Sequence, residues 1–145
     1  MNSEDERAIL AVLVRYASAI DRRDWTLFAT CFTEDVEADY GSITRCRGRD
    51  ILVDYMARGH AKIGPTLHRM SNFVIAGDGR EATATSYVDA LLMRPDSSDI
   101  LRQAHGWYED RLVRGSGGWQ IARRRFVPVL IQESGQSTAT AHREK

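Results

Sequence analysis

The sequence predicts an α+β fold in which N-terminal helices pack against a long, curved antiparallel sheet. Apolar residues recur at helical spacing between Ile9 and Ile20, which indicates an amphipathic helix near the N-terminus. From Thr66 onward, long segments rich in Thr, Val and Tyr are separated by turn signals such as Gly77-Asp78-Gly79. Helices followed by consecutive hairpins favour a cone-shaped sheet wrapped on the helices, whose open end suits a ligand site.

Capping and charge patterns predict where the helices begin and end. Ser3 is the candidate N-cap of the first helix, with Glu6 as its capping-box partner. This helix continues to about Asp21, and Asp24 is the candidate N-cap of a short second helix. The second helix, a short strand and a third helix are predicted over residues 25 to 31 or 32, 36–40 and 48–64.

The remainder of the chain is typical of strands joined by hairpins. Four long strands are predicted over residues 66–76, 81–93, 100–114 and 119–131. From Gln132 the composition becomes polar and rich in Ser, Thr and Gln. We therefore expect a single domain over residues 1–131 and a loose tail over residues 132–145.

Composition excludes several classes of function. The chain of 145 residues carries 20 Lys and Arg against 20 Asp and Glu, so its balance of charge indicates neither a nucleic-acid partner nor an anionic membrane. It contains no apolar run near the roughly 20 residues that a membrane span needs. The polar, acidic start is unlike a secretory signal, and the histidines and cysteines show no metal-ligand spacing. We expect a cytoplasmic protein without a metal site.

His68 is the candidate catalytic base, and Asp21 is a carboxylate that could orient it. A carboxylate that accepts a hydrogen bond from one ring nitrogen fixes the tautomer and makes the other nitrogen a better base. A lone strand histidine is, however, more often structural or exposed, and Asp21 could instead face solvent or pair with Arg22 or Arg124. Spacing alone does not bring the two side chains within hydrogen-bond reach.

A set of motifs spread along the chain carries a family resemblance. They are Arg15-Tyr16-Ala17-Ser18-Ala19-Ile20-Asp21-Arg22-Arg23-Asp24-Trp25, Thr66-Leu67-His68 with Asn72, Gly106-Trp107-Tyr108-Glu109-Asp110 and Gly118-Trp119-Gln120-Ile121. Together they resemble the SnoaL-like branch of the nuclear transport factor two-like superfamily over residues 5–130. The resemblance implies a cone-shaped barrel of the cystatin-like superfold and a pocket that uses no cofactor. Relatives include scytalone dehydratase, hexachlorocyclohexane dehydrochlorinase, polyketide cyclases and ketosteroid isomerase.

One catalytic constellation implied by the resemblance is that of the dehydratase and the dehydrochlorinase. In both, an aspartate at the end of the first helix pairs with a strand histidine, and these positions match Asp21 and His68. Tyr40 matches a dehydratase tyrosine that holds a water or substrate oxygen, and Arg124 is the nearest match to a dehydrochlorinase arginine. The second histidine of scytalone dehydratase has no match in the strand containing Tyr87.

Ketosteroid isomerase offers a competing constellation. Its oxyanion-binding tyrosine matches Tyr16, which also suits a core position, and its base roughly matches Asp39. Asp39 alternates with Tyr40, so it points away from the cone if Tyr40 faces inward. We therefore favour Asp21 and His68 as the catalytic pair, with Asp39 as the alternative.

The resemblance and the candidate residues together predict a lyase or isomerase. It would act on a small hydrophobic cyclic molecule by dehydration, dehydrochlorination, isomerisation or cyclisation. The alternative is a binding or scaffolding protein of the same fold, without chemistry. Apolar residues on the uncovered sheet face favour a homo-oligomer, either a dimer or a trimer. The expected substrate-binding residues are Tyr16, Phe32, Tyr40, Met56, Tyr87 and Arg124.

Overall fold

The computed structural model describes residues 1–134 and confirms the α+β class. Three helices are followed by, and interleaved with, a curved and unclosed sheet of six strands. The helices are α1 (Ser3–Arg22), α2 (Trp25–Ala29) and α3 (Arg49–His60). The strands are β1 (Phe32–Asp39), β2 (Arg45–Arg47), β3 (Thr66–Gly77), β4 (Glu81–Met93), β5 (Ile100–Gly115) and β6 (Gly118–Glu133).

The sheet is mixed, whereas the sequence predicted an antiparallel one. Its strand order is β2-β1-β6-β5-β4-β3, and β1 runs parallel to β6, with Phe32 opposite Ile121 and Ala38 opposite Arg124. All other neighbouring pairs are antiparallel. Hairpin signals report only pairs that are consecutive in the chain, so they could not reveal a pairing between the first and last strands.

Three helix boundaries differ from the sequence prediction, and one of them is the end of α3, at His60 instead of near residue 64. The N-cap of α1 is Asn2 instead of Ser3, because the Asn2 carboxamide accepts the backbone N–H of Asp5 at 2.8 Å. Helix α2 ends at Ala29, and Phe32 already belongs to β1.

At the other end of the chain, β6 continues to Glu133, beyond the predicted end of the domain. The expected loose tail otherwise falls on residues 135–145, which lie outside the described residues.

Helix α1 supplies the core beneath the sheet. Ile9, Leu13, Tyr16 and Ile20 recur every three or four residues and are almost completely buried, in the interior that α1 shares with β3 and β6. Burying one such large side chain contributes about 1.5–3 kcal/mol. This stripe therefore holds the last turn of α1, which carries Asp21, against the sheet.

No helix within residues 1–134 combines the length and apolar character that spanning a membrane requires.

A buried ion pair crosses the centre of the sheet. Arg124 on β6 donates from Nε to Asp110 Oδ1 at 2.8 Å and from Nη2 to Oδ2 at 2.7 Å, and both side chains are inaccessible to solvent. The guanidinium lies 4.1 Å from the ring centre of Tyr16 and 3.8 Å from that of Tyr108. Burial opposes the charge of Arg124, but Asp110 outweighs that cost and raises the pKa of the guanidinium. Arg124 is therefore a permanent cation in the core.

Replacing one partner of this pair leaves the other charge buried alone. We expect Arg124→Met to lower the free energy of unfolding by about 3–5 kcal/mol, measured by chemical denaturation. Arg125→Met is the matched control: the exposed pair of Arg125 with Glu109 should cost less than about 1 kcal/mol. Equal losses in the two variants would contradict the assigned role of the buried pair.

Candidate active site

A cavity of about 200 Å³ lies between the ends of α1 and α3 and the inner face of the sheet. Most of its wall is apolar, contributed by residues such as Ile20, Ile43, Met56, Ile63, Leu101 and Phe126. The polar side chains of the wall fall into two groups, His68 with His60 and the hydroxyl groups of Tyr16, Tyr40 and Tyr108. Tyr55 and Arg102 also line the cavity, and Arg102 is paired with Glu133 at 2.6 Å. A mostly apolar cavity with a few placed polar groups is typical of a small-molecule site.

The carboxylate of Asp21 is bonded to both the backbone and the ring of His68. Its Oδ2 accepts the backbone N–H of His68 at 2.8 Å, and its Oδ1 accepts ring Nδ1–H at 2.8 Å. Oδ1 also accepts the hydroxyl of Thr66 at 2.8 Å. Burial alone would raise the pKa of Asp21, but the bonds from His68 and Thr66 hold it below its ordinary value. With Nδ1–H donated to Asp21, the neutral ring carries its lone pair on Nε2.

A residue just beyond α1 supports this arrangement from behind. Arg23 adopts a left-handed conformation with φ of 58°, which ends the helix and places its guanidinium next to the start of β3. The guanidinium donates to Thr66 Oγ1 at 2.9 Å and to the Gly64 carbonyl at 2.7 Å. Thr66 therefore accepts from Arg23 while it donates to Asp21. This chain of hydrogen bonds limits the orientations that the carboxylate can adopt.

Three tyrosine hydroxyls meet elsewhere on the cavity wall. Tyr16 Oη lies 2.7 Å from Tyr40 Oη and 3.5 Å from Tyr108 Oη. Burial raises the pKa of each hydroxyl above its ordinary value, although the Arg124 cation acts in the opposite direction. The hydroxyls therefore keep their protons. The three hydroxyls carry three protons and the two contacts between them use two, so one proton remains available to a ligand oxygen.

His60 is a second histidine of the cavity and was not among the site residues predicted from the sequence. It is the last residue of α3, and its Nδ1 donates to the carbonyl of Met56 at 2.8 Å. Its ring centre lies 5.6 Å from that of Trp25 and 6.4 Å from that of His68. Burial lowers the pKa of His60, and the charge of Arg23 adds to this effect. Its position on the cavity wall depends on how α3 packs, which no local pattern encodes.

The other predicted residues lie in different places. Tyr16, Tyr40 and Met56 line the cavity, whereas Phe32 is a core residue packed against the rings of Tyr16 and Phe28. Arg124 lies behind the tyrosines and does not line this cavity. Tyr108, which does line it, could have been placed from its alternation with Trp107 once the inner face was known.

Like Phe32 and Arg124, two further predicted residues lie outside the cavity. Tyr87 is 51% exposed on the outer sheet face, because β4 alternates strictly and directs Ser86 and Val88 inward. The structure therefore places Tyr87 outside the cavity that it was expected to line. Asp39 also points away from the cavity, where it pairs with Arg45 at 3.2 Å and accepts the backbone N–H of Gly41. Its bond to Gly41 lowers the pKa of Asp39, and its location argues against the alternative role as base.

The comparison with protein families identifies the chain. The model described as the SnoaL-like domain matches residues 1–125. The chain belongs to the SnoaL-like family. It is also 31% identical over 124 residues to the uncharacterised protein Rv2910c of Mycobacterium tuberculosis and to a protein of Mycobacterium bovis, covering 83% of this chain and 82% of each relative.

Solved structures of this SnoaL-like protein's neighbours show the same fold. A Mycobacterium tuberculosis protein of unknown function is 31% identical, with a TM-score of 0.76 over 88% of this chain and 77% of that chain. A Novosphingobium aromaticivorans protein provisionally named scytalone dehydratase is 24% identical, with a TM-score of 0.81 over 90% and 88%. A type 2 hexachlorocyclohexane dehydrochlorinase is 15% identical, with a TM-score of 0.80 over 90% of each chain. The resemblance inferred from the motifs is confirmed.

The lowered pKa of His60 predicts a pH dependence of stability. The folded protein binds a proton at this ring less readily than the unfolded chain does, whose histidines titrate near pH 6.5. The stability associated with neutral His60 is therefore complete above about pH 6.5 and is lost as the pH falls through the folded pKa. We expect His60→Asn to lose less unfolding free energy than the wild type between about pH 7.5 and about pH 5.

Urea denaturation at several pH values measures this difference. His105→Asn is the control, because His105 lies on the outer sheet face, bonded to Asp89. If the unfolding free energies of the wild type and His60→Asn change in parallel with pH, the prediction is contradicted, because folding would then not oppose protonation of His60.

Proposed function

We propose that this SnoaL-like protein is a lyase or isomerase that begins its reaction by removing a proton from carbon. The observation that carries the proposal is the hydrogen bond between Asp21 and His68 Nδ1, which leaves Nε2 as a base on the wall of a mostly apolar cavity. The family's structural neighbours, which include enzymes named as a dehydratase and a dehydrochlorinase, are consistent with this class.

The proposed substrate is a small hydrophobic cyclic molecule with a carbonyl group. The cavity of about 200 Å³ lies below the usual ligand-pocket range of about 300–1,000 Å³, which favours a small ligand. Its apolar wall would hold the ring, while the spare proton of the three tyrosine hydroxyls would bond the carbonyl oxygen. The residues that hold and move protons in this scheme all belong to the chain itself.

The chemical step follows from the two polar parts of the cavity. Nε2 of His68 takes a proton from the carbon beside the carbonyl, and the C–H electrons move onto the carbonyl oxygen to form an enolate. Asp21 stabilises the imidazolium that results, since it already accepts Nδ1–H. The tyrosine hydroxyl, which lies near the buried cation of Arg124, stabilises the oxyanion. The enolate then expels a leaving group or regains the proton at another carbon.

Replacing the proposed base tests this mechanism. Incubating the protein with 1-tetralone, 2-tetralone and 3-cyclohexen-1-one in deuterium oxide should exchange protons beside the carbonyl, observed as lost NMR signals. We expect His68→Ala to reduce the exchange rate by about 10²–10⁴-fold because it removes the base, with little change in ligand affinity.

His105→Ala is the matched control for the histidine variant. His105 also bonds a carboxylate, that of Asp89, at 2.7 Å, but it lies outside the cavity. Its replacement should leave the exchange rate unchanged. Exchange that persists in His68→Ala, or that the wild type does not catalyse with any of the three ketones, would remove the proposed reaction.

We also propose that the protein assembles as a homo-oligomer through the outer face of the sheet. Leu67, Tyr87 and Leu130 are about half exposed there, and Tyr87 lies opposite Trp107 on the neighbouring strand. Exposed apolar residues that adjoin one another on a sheet are commonly buried by a partner. A second copy is the partner we propose, since most soluble oligomers are closed, symmetric assemblies of one chain.

A charge placed within this face should weaken the assembly. We expect the wild type to elute as a dimer or trimer in size exclusion with light scattering, and Tyr87→Glu to shift it toward the monomer. Thr83→Glu is the control, because Thr83 is exposed on the same strand and face but about 13 Å away along the strand. A wild type that remains monomeric would contradict the proposal.

A further inference from the structure

Arg102 brings a permanent positive charge to the wall of the cavity. It lies near the start of β5, opposite Leu92 of β4, and both residues line the cavity. Among the residues that line the cavity within residues 1–134, Arg102 is the only arginine or lysine. An arginine side chain remains charged in proteins. The mostly apolar wall therefore carries a fixed cation that the proposed reaction does not use.

Arg102 and Tyr108 lie toward opposite ends of the cavity. Both line it from β5, and six residues along a strand correspond to about 20 Å between their Cα atoms. The side chain of Arg102 is 35% exposed, whereas Tyr108 is only 5% exposed. Between them, Ala104 lies opposite Ala90, which in turn lies opposite His68. The cation is therefore at the exposed end, the tyrosine hydroxyls are at the buried end, and the proposed base is between.

Glu133 occupies only part of the Arg102 guanidinium. Nε and Nη2 of Arg102 donate to the same oxygen, Oε1 of Glu133, at 2.9 Å and 2.6 Å. No atom of residues 1–134 accepts a hydrogen bond from Nη1. The Glu133 side chain is 40% exposed, and ion pairs so open to water are weak. Glu133 therefore compensates the charge only weakly and leaves two N–H donors for another acceptor.

We propose that the guanidinium of Arg102 binds a carboxylate group of the substrate, so that the substrate is a cyclic keto acid. This rests on the proposed function, because it takes the tyrosine hydroxyls as the carbonyl site. A carboxylate matches the planar set of N–H donors of arginine, and hydrogen bonds between charged groups are stronger than those between neutral ones. The carboxylate lies at the exposed end of the cavity and the carbonyl at the buried end. Arg102 is in this scheme a specificity-determining residue that takes no part in proton transfer.

The surroundings of Arg102 explain why an uncharged ligand binds less well. Leu92 and Leu101 line the wall beside it. A ligand that fills this end of the cavity displaces water from Nη1, and a ligand without an acceptor leaves those donors without a partner. Leaving a charged donor unpaired costs more than leaving a neutral one. The negative charge of Glu133 opposes a second carboxylate, so it reduces the gain from binding an acid.

Three ketones with one ring system test the proposal through binding alone. They are 1-tetralone-6-carboxylate, the corresponding 6-carboxamide and 1-tetralone, with dissociation constants measured by calorimetry at neutral pH. The carboxamide has the shape of the carboxylate without its charge. We expect the wild type to bind the carboxylate about tenfold more tightly than the carboxamide. Sodium chloride at about 0.5 M should reduce this preference in the wild type, because salt screens charges that are open to water.

Two substitutions separate binding of a carboxylate from support of the fold. Arg102→Met removes the cation, so the preference for the carboxylate should fall to within about twofold. Glu133→Gln removes the competing charge and keeps Arg102, so the carboxylate should bind about threefold more tightly while the affinity for the carboxamide stays the same. A purely structural role of the pair predicts the opposite, namely weaker binding of all three ketones in Glu133→Gln.

Arg111→Met is the matched control for the arginine variant. Arg111 also lies on β5, and its Nη2 also bonds a glutamate oxygen, that of Glu81, at 2.6 Å. It does not line the cavity. Its replacement should leave the tenfold preference of the wild type unchanged.

Several results would overturn the proposal. They are equal wild-type affinities for the carboxylate and the carboxamide, no binding of any of the three ketones, a preference that salt does not reduce, a preference that survives in Arg102→Met, and no tighter binding of the carboxylate in Glu133→Gln. Failure here is distinguishable from failure of the proposed reaction. A carboxylate preference that depends on Arg102, together with proton exchange that does not depend on His68, would remove the reaction and keep the carboxylate site.

Discussion

The carboxylate of Asp21 is the contact on which the arrangement of the cavity depends. It joins the last turn of α1 to the first residues of β3 by accepting from the backbone and ring of His68 and from Thr66. Hydrogen bonds to an ionised acceptor are stronger than those between neutral groups. One side chain thus fixes where the helix meets the sheet, which ring nitrogen of His68 bears the proton, and which nitrogen is left with a lone pair.

The buried pair of Arg124 and Asp110 gives the tyrosine part of the cavity its character. A guanidinium between the rings of Tyr16 and Tyr108 places positive charge behind hydroxyls that burial keeps protonated. The charge is compensated by Asp110, so the core tolerates it. The cavity therefore has donors at one place and acceptors at another, and its apolar wall separates them. A ligand can be oriented by this division before any bond changes.

The sequence predicted those features that local periodicity encodes. The apolar stripe of α1 and the limits of β4 follow directly from spacing and turn residues. The inner face of β4 could not be predicted in the same way, since it carries Ala82 and Ala84 while the larger Tyr87 lies outside. Alternation shows that neighbouring residues face opposite ways, but only the packing of the helices decides which face is covered.

Features that depend on contacts between distant parts of the chain could not be predicted from local sequence patterns. Arg124 is buried between two exposed arginines because β6 lies at the centre of the sheet and is paired on both sides. His60 reaches the cavity because the end of α3 packs against Trp25 and faces His68 of β3. The family resemblance brought Asp21 and His68 together as candidates, but the bond between them became visible only in the structure.

The parallel pairing of β1 with β6 has a consequence for how the protein acquires its shape. It joins two segments that are far apart in the chain, and such contacts close large loops at an entropic cost. During synthesis, the edge of β1 that pairs with β6 stays unpaired until β6 has left the ribosome. The cavity, whose wall includes Phe126 of β6, is therefore among the last parts of the molecule to form.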